Sequence, residues 1–278
     1  MFADLHVHSQ YSDGTLTISE IVAKAQAHNI SLLSVCDHET ADAYLYEKSA
    51  FANQGVTIIT GAEINSCMDE INHHILAYGF DTGNKPLGRL LEHNRDALLQ
   101  NGAALIAAMS KDYPTLSTNA FYRYNRNRKN GGWESIDYLR SMGIINNVTD
   151  FFRVVGKYGE KPTPQFPRAA DVIQAIHEAG GVAVVAHLGE TLGQDMQECA
   201  RAATQFLDLG IDGFECYYTT HTTEITQQLL NFCRQHDLII TAGSDDHGGF
   251  CNDDQDVFDM SLLKIKTEQL HLKNLVRK

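Results

Sequence analysis

The chain has 278 residues, 43% of them apolar, and a formal charge of −13. That charge excludes a broad face for duplex DNA, and no apolar run approaches the ~20 residues needed to cross a bilayer. Six cysteines (Cys36, Cys67, Cys199, Cys216, Cys233 and Cys251) are scattered without a CxxC pair. They point to reduced thiols in a cytoplasmic protein and not to a disulfide framework.

Met1-Phe2-Ala3-Asp4 leads straight into a first motif, so no signal peptide is expected. Asp4-Leu5-His6-Val7-His8-Ser9 reads as a strand. Alternate side chains share a face, so His6 and His8 point one way while Leu5 and Val7 face the opposite layer. Asp13 follows in a glycine-containing turn that can fold its carboxylate back over the same point. Two imidazoles and a carboxylate so close together begin a metal site.

Thr17-Ile18-Ser19-Glu20 has the form of a capping box and opens a helix to about residue 29. A strand over 31–36 ends in Asp37-His38. A helix over 43–53 precedes a strand over 56–60, which ends in Gly61-Ala62-Glu63. Segment 73–79 is another strand, with His73 and His74 at its start and His74 taken to face inward. Pro86 opens a longer helix, and then the rhythm lapses between residues 111 and about 167. Residues 101–165 are expected to form an inserted, partly helical cap between two parts of one α/β unit, 1–100 and 166–278. Helices are predicted over 136–142 and 150–158, and Trp133 is expected to anchor the cap's own core.

Alternation resumes with helices over 168–179, 197–209 and 222–236 and strands over 182–186, 211–217 and 238–242. A short segment over 261–265 and a C-terminal helix close the chain. His38, Glu63, His187, Asp245 and His247 each fall at or just past the C-terminal end of an apolar run. In a parallel barrel those ends meet on one rim, where active sites are built. His74 would join them through an antiparallel step or a hairpin. Six histidines and three carboxylates exceed what one cation needs, which points to a polynuclear site.

These motifs resemble the PHP (polymerase and histidinol phosphatase) superfamily. Asp4-Leu5-His6-Val7-His8-Ser9 is similar to its first motif, Cys36-Asp37-His38 to its second, Ala186-His187 to its third and Ser244-Asp245-Asp246-His247 to its fourth. The resemblance implies an α/β fold, a distorted (β/α)7 barrel, and a metal-dependent phosphoesterase with three divalent cations. His6, His8, Glu63 and Asp245 would hold one; Glu63, His74 and His187 a second; Asp13, His38 and His247 the third. Nitrogen and carboxylate donors suit Mn, Fe or Zn. A metal-bridged hydroxide would attack a small phosphorylated metabolite or nucleotide, with Asp13, His38 and Asp245 at the reacting centre.

The cap looks most like the branch that dephosphorylates nucleotides and trims short oligonucleotides. That branch carries an Arg-x-His motif for phosphate; here the stretch 131–139 has neither residue. Other candidates for the substrate are Arg168, where the cap rejoins the barrel, and His221, as proton donor or phosphate contact. Arg123, Arg126, Arg128 and Lys129, interleaved with Tyr122 and Tyr124, could clamp phosphate beside a stacked base. A 5'-3' exonuclease on short oligonucleotides and a metal-bound scaffold without turnover are the alternatives. No membrane partner is expected.

Overall fold

The computed structural model describes residues 1–52, 55–159, 166–250, 258–273 and 275. Its strands fall into two sheets. β1 (Phe2–Val7), β2 (Ile30–Val35) and β3 (Thr57–Ile58) lie parallel in that order. β4 (Gly61–Met68), β5 (Ile71–Tyr78), β6 (Val182–Val185), β7 (Gly213–Tyr218) and β8 (Ile239–Gly243) make the second sheet, also in sequence order. β5 runs antiparallel to β4 and β6; β6, β7 and β8 are mutually parallel.

The two sheets meet at two seams, each carrying an isolated bridge: Val7 with Asp246, and His38 with Glu63. Backbone bonds reinforce both seams. Asp245 donates to the His6 carbonyl and His8 to that of Asp246, while Glu39 donates to Glu63 and Glu63 to Asp37. Both seams therefore run through residues singled out as ligands.

Three apolar layers hold this arrangement. Leu5, Leu32, Leu76, Val184 and Ile239 fill the space between the sheets. Val7, Ile18, Ile21 and Val22 pack the helix Ile18–Ala27 on the first sheet, and Phe206, Phe214, Ile225 and Leu229 pack helices on the second. Leu5 and Val7 were expected in one layer, but they fall in different ones. The register of β1 on β2 shifts between Asp4 and Val7, which breaks the simple alternation.

The capping box is present: the Thr17 side chain accepts from the Glu20 amide, and Glu20 accepts from the Thr17 amide at 2.8 Å. Thr17→Ala is expected to lower stability by about 1 kcal/mol, read as a lower urea midpoint with an unchanged slope.

Three expectations need correction. The strand predicted over 56–60 is only two residues long, and Glu63 lies inside a separate strand, β4. The helix predicted over 43–53 is two short turns, Asp42–Tyr46 and Lys48–Phe51. No C-terminal α-helix exists among the described residues: Thr267–Gln269 is a single 3-10 turn, and His271 pairs its backbone with Ile240. The apolar positions of that tail (Leu270, Leu272, Leu275) plug the space between the sheets, which an extended chain does as well as a helix.

The helix opened by Pro86 runs from Lys85 to Met109, across the boundary expected at residue 100. With Glu134–Ser141 and Val148–Tyr158 it encloses a separate apolar cluster of Ile106, Met109, Phe121, Tyr138 and Leu139. No helix among the described residues is long and apolar enough to cross a membrane.

Candidate metal centre

β1 delivers His6 and His8, both fully buried, to the ends of β4 and β8. Their Nε2 atoms stand 3.1 Å apart. Both face the same carboxylate oxygens: Glu63 Oε2 at 3.1 and 3.2 Å, and Asp245 Oδ1 at 3.4 and 2.9 Å. The hairpin from β4 to β5 brings His74 opposite Asn65, so that His74 Nδ1 lies 2.8 Å from Glu63 Oε1. His187 Nε2 approaches the same oxygen at 3.0 Å. The antiparallel step invoked for His74 is thus present. His73 turns the other way, buried edge-on against Phe206.

Asp13 sits on the far side of His8, with Oδ2 3.3 Å from His247 Nε2 and 3.9 Å from His38 Nε2. Three sets of donor atoms could therefore each hold an ion: His6, His8, Glu63 and Asp245; His8, Asp13, His38 and His247; and His38, Glu63 and His74. The nine expected ligands converge, and some of them face more than one of these sets. His8 faces two sets, and His38 reaches Glu63 Oε2 at 3.2 Å as well as Asp13.

These donors fit divalent cations. Ligand atoms about 2.0–2.2 Å from a shared ion lie about 3 to 3.5 Å apart when adjacent around it, and most of the separations here are of that scale. His38 Nδ1, Glu63 Oε2 and Asp245 Oδ1 are buried without a hydrogen-bond partner. Buried polar atoms seldom go unpaired, so three in one cluster mark a place for a charged group.

Electrostatics agree. Burial alone would raise the pKa of Glu63, but His38, His6 and His74 around it hold the carboxyl well below its usual range. Burial would lower His187; Glu63 outweighs it and pushes the imidazole up to about 9. His38, where burial prevails, drops to about 3.

The ligands are braced from behind. Glu215 accepts at 3.1 Å from His6 Nδ1 and at 2.8 Å from the His187 amide. Asp37 accepts from the amide and hydroxyl of Ser9 and of Ser12, pinning the loop that carries Asp13. Tyr218 donates to Asp245 Oδ2 at 2.9 Å. A Cβ on Gly243 would strike both Glu215 and His6, so only glycine lets β8 come this close. His187 and Asp245 both adopt positive φ, 27° and 59°, a local strain of about 1–3 kcal/mol each that the surrounding bonds must hold.

The PHP domain model matches residues 4–215. The chain belongs to the PHP family.

Among relatives, a 5'-3' exoribonuclease of Haemophilus influenzae is 30% identical over 251 residues, 88% of this chain and 89% of the relative. A 3',5'-nucleoside bisphosphate phosphatase of Chromobacterium violaceum is 26% identical over 249 residues, covering 88% and 86%. A crystal structure from Bifidobacterium adolescentis, described as a candidate metal-dependent phosphoesterase, superposes with a TM-score of 0.79 at 25% identity, covering 99% of this chain and 95% of that one. At this level the expectation of a metal-dependent hydrolase of phosphoesters is borne out.

Not every expected site residue of this PHP chain gathers at the centre. His221 is held by backbone at both ring nitrogens: Nε2 accepts from the Gly189 amide at 3.1 Å and Nδ1 faces the Cys216 carbonyl at 3.3 Å. It has no ring nitrogen left for a leaving group. Arg168 grips Asp171 with two bonds, at 2.9 and 2.7 Å, on the protein surface. Arg123 is exposed. Arg126 is half-buried and ties two distant loops together, donating to the carbonyls of Gly132 and Ser12. Trp133 packs against the apolar cluster of Phe121 and Tyr138, and its ring centroid also lies 4.9 Å from that of His38.

Glu215 and Tyr218 were missed, because a lone acid or phenol inside a strand carries no motif. Glu215→Gln is expected to weaken metal binding roughly 10- to 100-fold, read by calorimetric titration with Mn or Zn.

Proposed function

We propose that the protein hydrolyses the phosphoester of a small phosphorylated metabolite or nucleotide at a trinuclear centre of Mn, Fe or Zn. The observation that carries this reading is the convergence of six histidines on Glu63, Asp13 and Asp245, with buried atoms left unpaired between them. Divalent cations, when bound, would acidify a water molecule and neutralise charge on the phosphoryl oxygens. The chain's own residues prepare the place. Glu63, Asp13 and Asp245 keep negative charge there, and Glu215 and Asp37 fix the direction of their neighbours. Trp133 covers His38 and limits the water around it.

The two sheets are read as parts of a distorted (β/α)7 barrel, and residues 101–165 as its substrate cap. Asp13, His38 and Asp245 stand at the reacting centre. Arg126 fixes the loop that carries Asp13 by donating to the Ser12 carbonyl, and Arg123 offers an exposed cation at the cap. A cytoplasmic location accords with the scattered thiols, five of which are free; Cys251 lies outside the described residues.

A second reading, removal of nucleotides from the 5' end of short oligonucleotides, is favoured by the likeness to the Haemophilus influenzae exoribonuclease. One assay separates the readings. Protein loaded with Mn, Fe or Zn is presented with adenosine 5'-monophosphate, adenosine 3',5'-bisphosphate and a 5'-phosphorylated trinucleotide. Phosphate release from the mononucleotides supports the first reading, and mononucleotide release from the trinucleotide alone supports the second. No turnover by metal-replete protein would leave a scaffold and end both.

A further inference from the structure

We infer that the gap between the long helix Lys85–Met109 and the helix Val148–Tyr158 is a binding site for an apolar carboxylate, and that its occupancy is felt at His38. The gap has a volume of about 850 Å³ and is walled by Leu98, Leu105, Phe121, Phe151 and Val155. It is separate from the ligand set and independent of the reaction proposed above.

The outer wall is under-packed for its sequence. In Val148–Tyr158 the residues Phe151, Val154, Val155 and Tyr158 recur three and four apart, the spacing of a helix with one face in a core. Yet no residue of that helix is buried. Protein interiors are filled about as densely as organic crystals, with few voids larger than a water molecule. A gap of this size between apolar helix faces falls instead in the range of small-molecule sites, about 300–1,000 Å³. An apolar body inside it would bury the face that the fold leaves half-exposed.

The charges at the rim select the head group. Lys111 and Glu134 both line the gap. Glu134 is matched by Arg126, whose Nε stands 3.8 Å from its Oε1. Asp112, next to Lys111, accepts from the Tyr158 hydroxyl at 2.7 Å and faces Lys157 at 3.7 Å. Lys111 is exposed and has no ion pair among the described residues. One cation is left over, and a lone ammonium is a compact point charge that suits a single small anion such as a carboxylate.

Two routes lead from the gap to His38. Trp133 lines the gap, and its ring centroid is 4.9 Å from that of His38. The helix Lys85–Met109, which supplies the inner wall, also grips the residue after His38. Asn94 Nδ2 donates to Glu39 Oε2 at 2.9 Å, and Arg95 Nη1 to the Glu39 carbonyl at 3.0 Å. A molecule that steadies this helix and Trp133 steadies His38 with them, and by linkage an ion held by His38 favours that molecule in turn.

Trp133 is the only tryptophan in the sequence, so its emission reports on the gap. The full chain, loaded with Mn, is titrated with dodecanoate and with dodecyltrimethylammonium, both below their micelle-forming concentrations. Dodecanoate is expected to shift the Trp133 emission saturably and to bind several-fold tighter than the cationic amphiphile, and Lys111→Glu should reverse that order. Ala108→Phe, on the wall of the gap, should abolish the response with circular dichroism unchanged. In calorimetry Mn should bind the metal-free wild type about fivefold or more tighter in saturating dodecanoate, and no tighter in Ala108→Phe.

Equal binding of the two amphiphiles, a response that survives Ala108→Phe, or an unchanged Mn affinity would overturn the inference. So would a wild type that ignores dodecanoate and elutes as a dimer broken by Ala108→Phe, since the gap would then be a contact between two copies.

Discussion

Replacing Glu63 with glutamine is expected to abolish metal-dependent turnover, with a loss on the order of 100- to 1,000-fold or more, the scale of removing one preorganised charge from a water-excluded site. No other side chain here faces as many partners. One oxygen stands 3.1–3.2 Å from His6, His8 and His38, and the other 2.8–3.0 Å from His74 and His187. Glutamine keeps the shape but puts an NH2 group, which cannot ligate, in place of one oxygen, and it removes the charge that balances the ions. The fold should persist, because Glu63 contributes its backbone and not its carboxylate to the seam with His38. Elemental analysis should show at least one ion lost per chain, and circular dichroism should be unchanged. A variant that kept both its metals and its rate would contradict the ligand assignment.

Cation affinity is expected to rise with pH from about 6.5 to about 9, by about tenfold per pH unit for each proton displaced. The sign comes from the histidines. Burial opposes charge on His6, yet Glu63, Glu215 and Asp245 outweigh it and raise the imidazole well above its ordinary value; His187 reaches about 9 for the same kind of reason. In the metal-free protein these rings hold protons that a cation must expel.

The same shifts govern stability. A group whose folded value is raised stabilises most fully below its unfolded value, and that contribution is lost as pH climbs through the folded one. Asp4 and Glu39, which burial pushes up to about 7 and about 8, act in the same direction. Chelator-treated protein should therefore melt at progressively lower temperature between about pH 6.5 and 9, while loaded protein should not. Calorimetric titrations at several pH values and paired melting curves test both statements; an affinity flat in pH would show that the rings are already neutral.

Much of this centre was legible in the chain, for reasons that can be named. His6 and His8 alternate on one strand, and His187, Asp245 and His247 follow apolar runs, so periodicity alone places them on one rim. The hairpin was harder. β4 hides polar residues such as Glu63, Asn65 and Ser66 in the interior, where the site and its braces satisfy them. An apolarity reading therefore settled on residues 56–60 instead. The turn itself, Asp69-Glu70, has two residues at positive φ without the glycine that usually announces such a turn. Trp133 was expected only as a core anchor; its contact with His38 crosses about a hundred residues of sequence, and the irregular stretch around it gives no periodicity from which to infer it.

The two seams have a mechanical consequence. Each sheet is a ladder in its own right, but the pair is stitched together where His38 meets Glu63 and where Val7 meets Asp246, a few bonds at each place. Ions seated across those stitches would act as rivets, because each would grip side chains from both halves at once. Stripping them should loosen the amides of His8, Glu39, Glu63 and Asp245 to deuterium well before the interiors of β5 and β7, so the protein would come apart first at the place where it works.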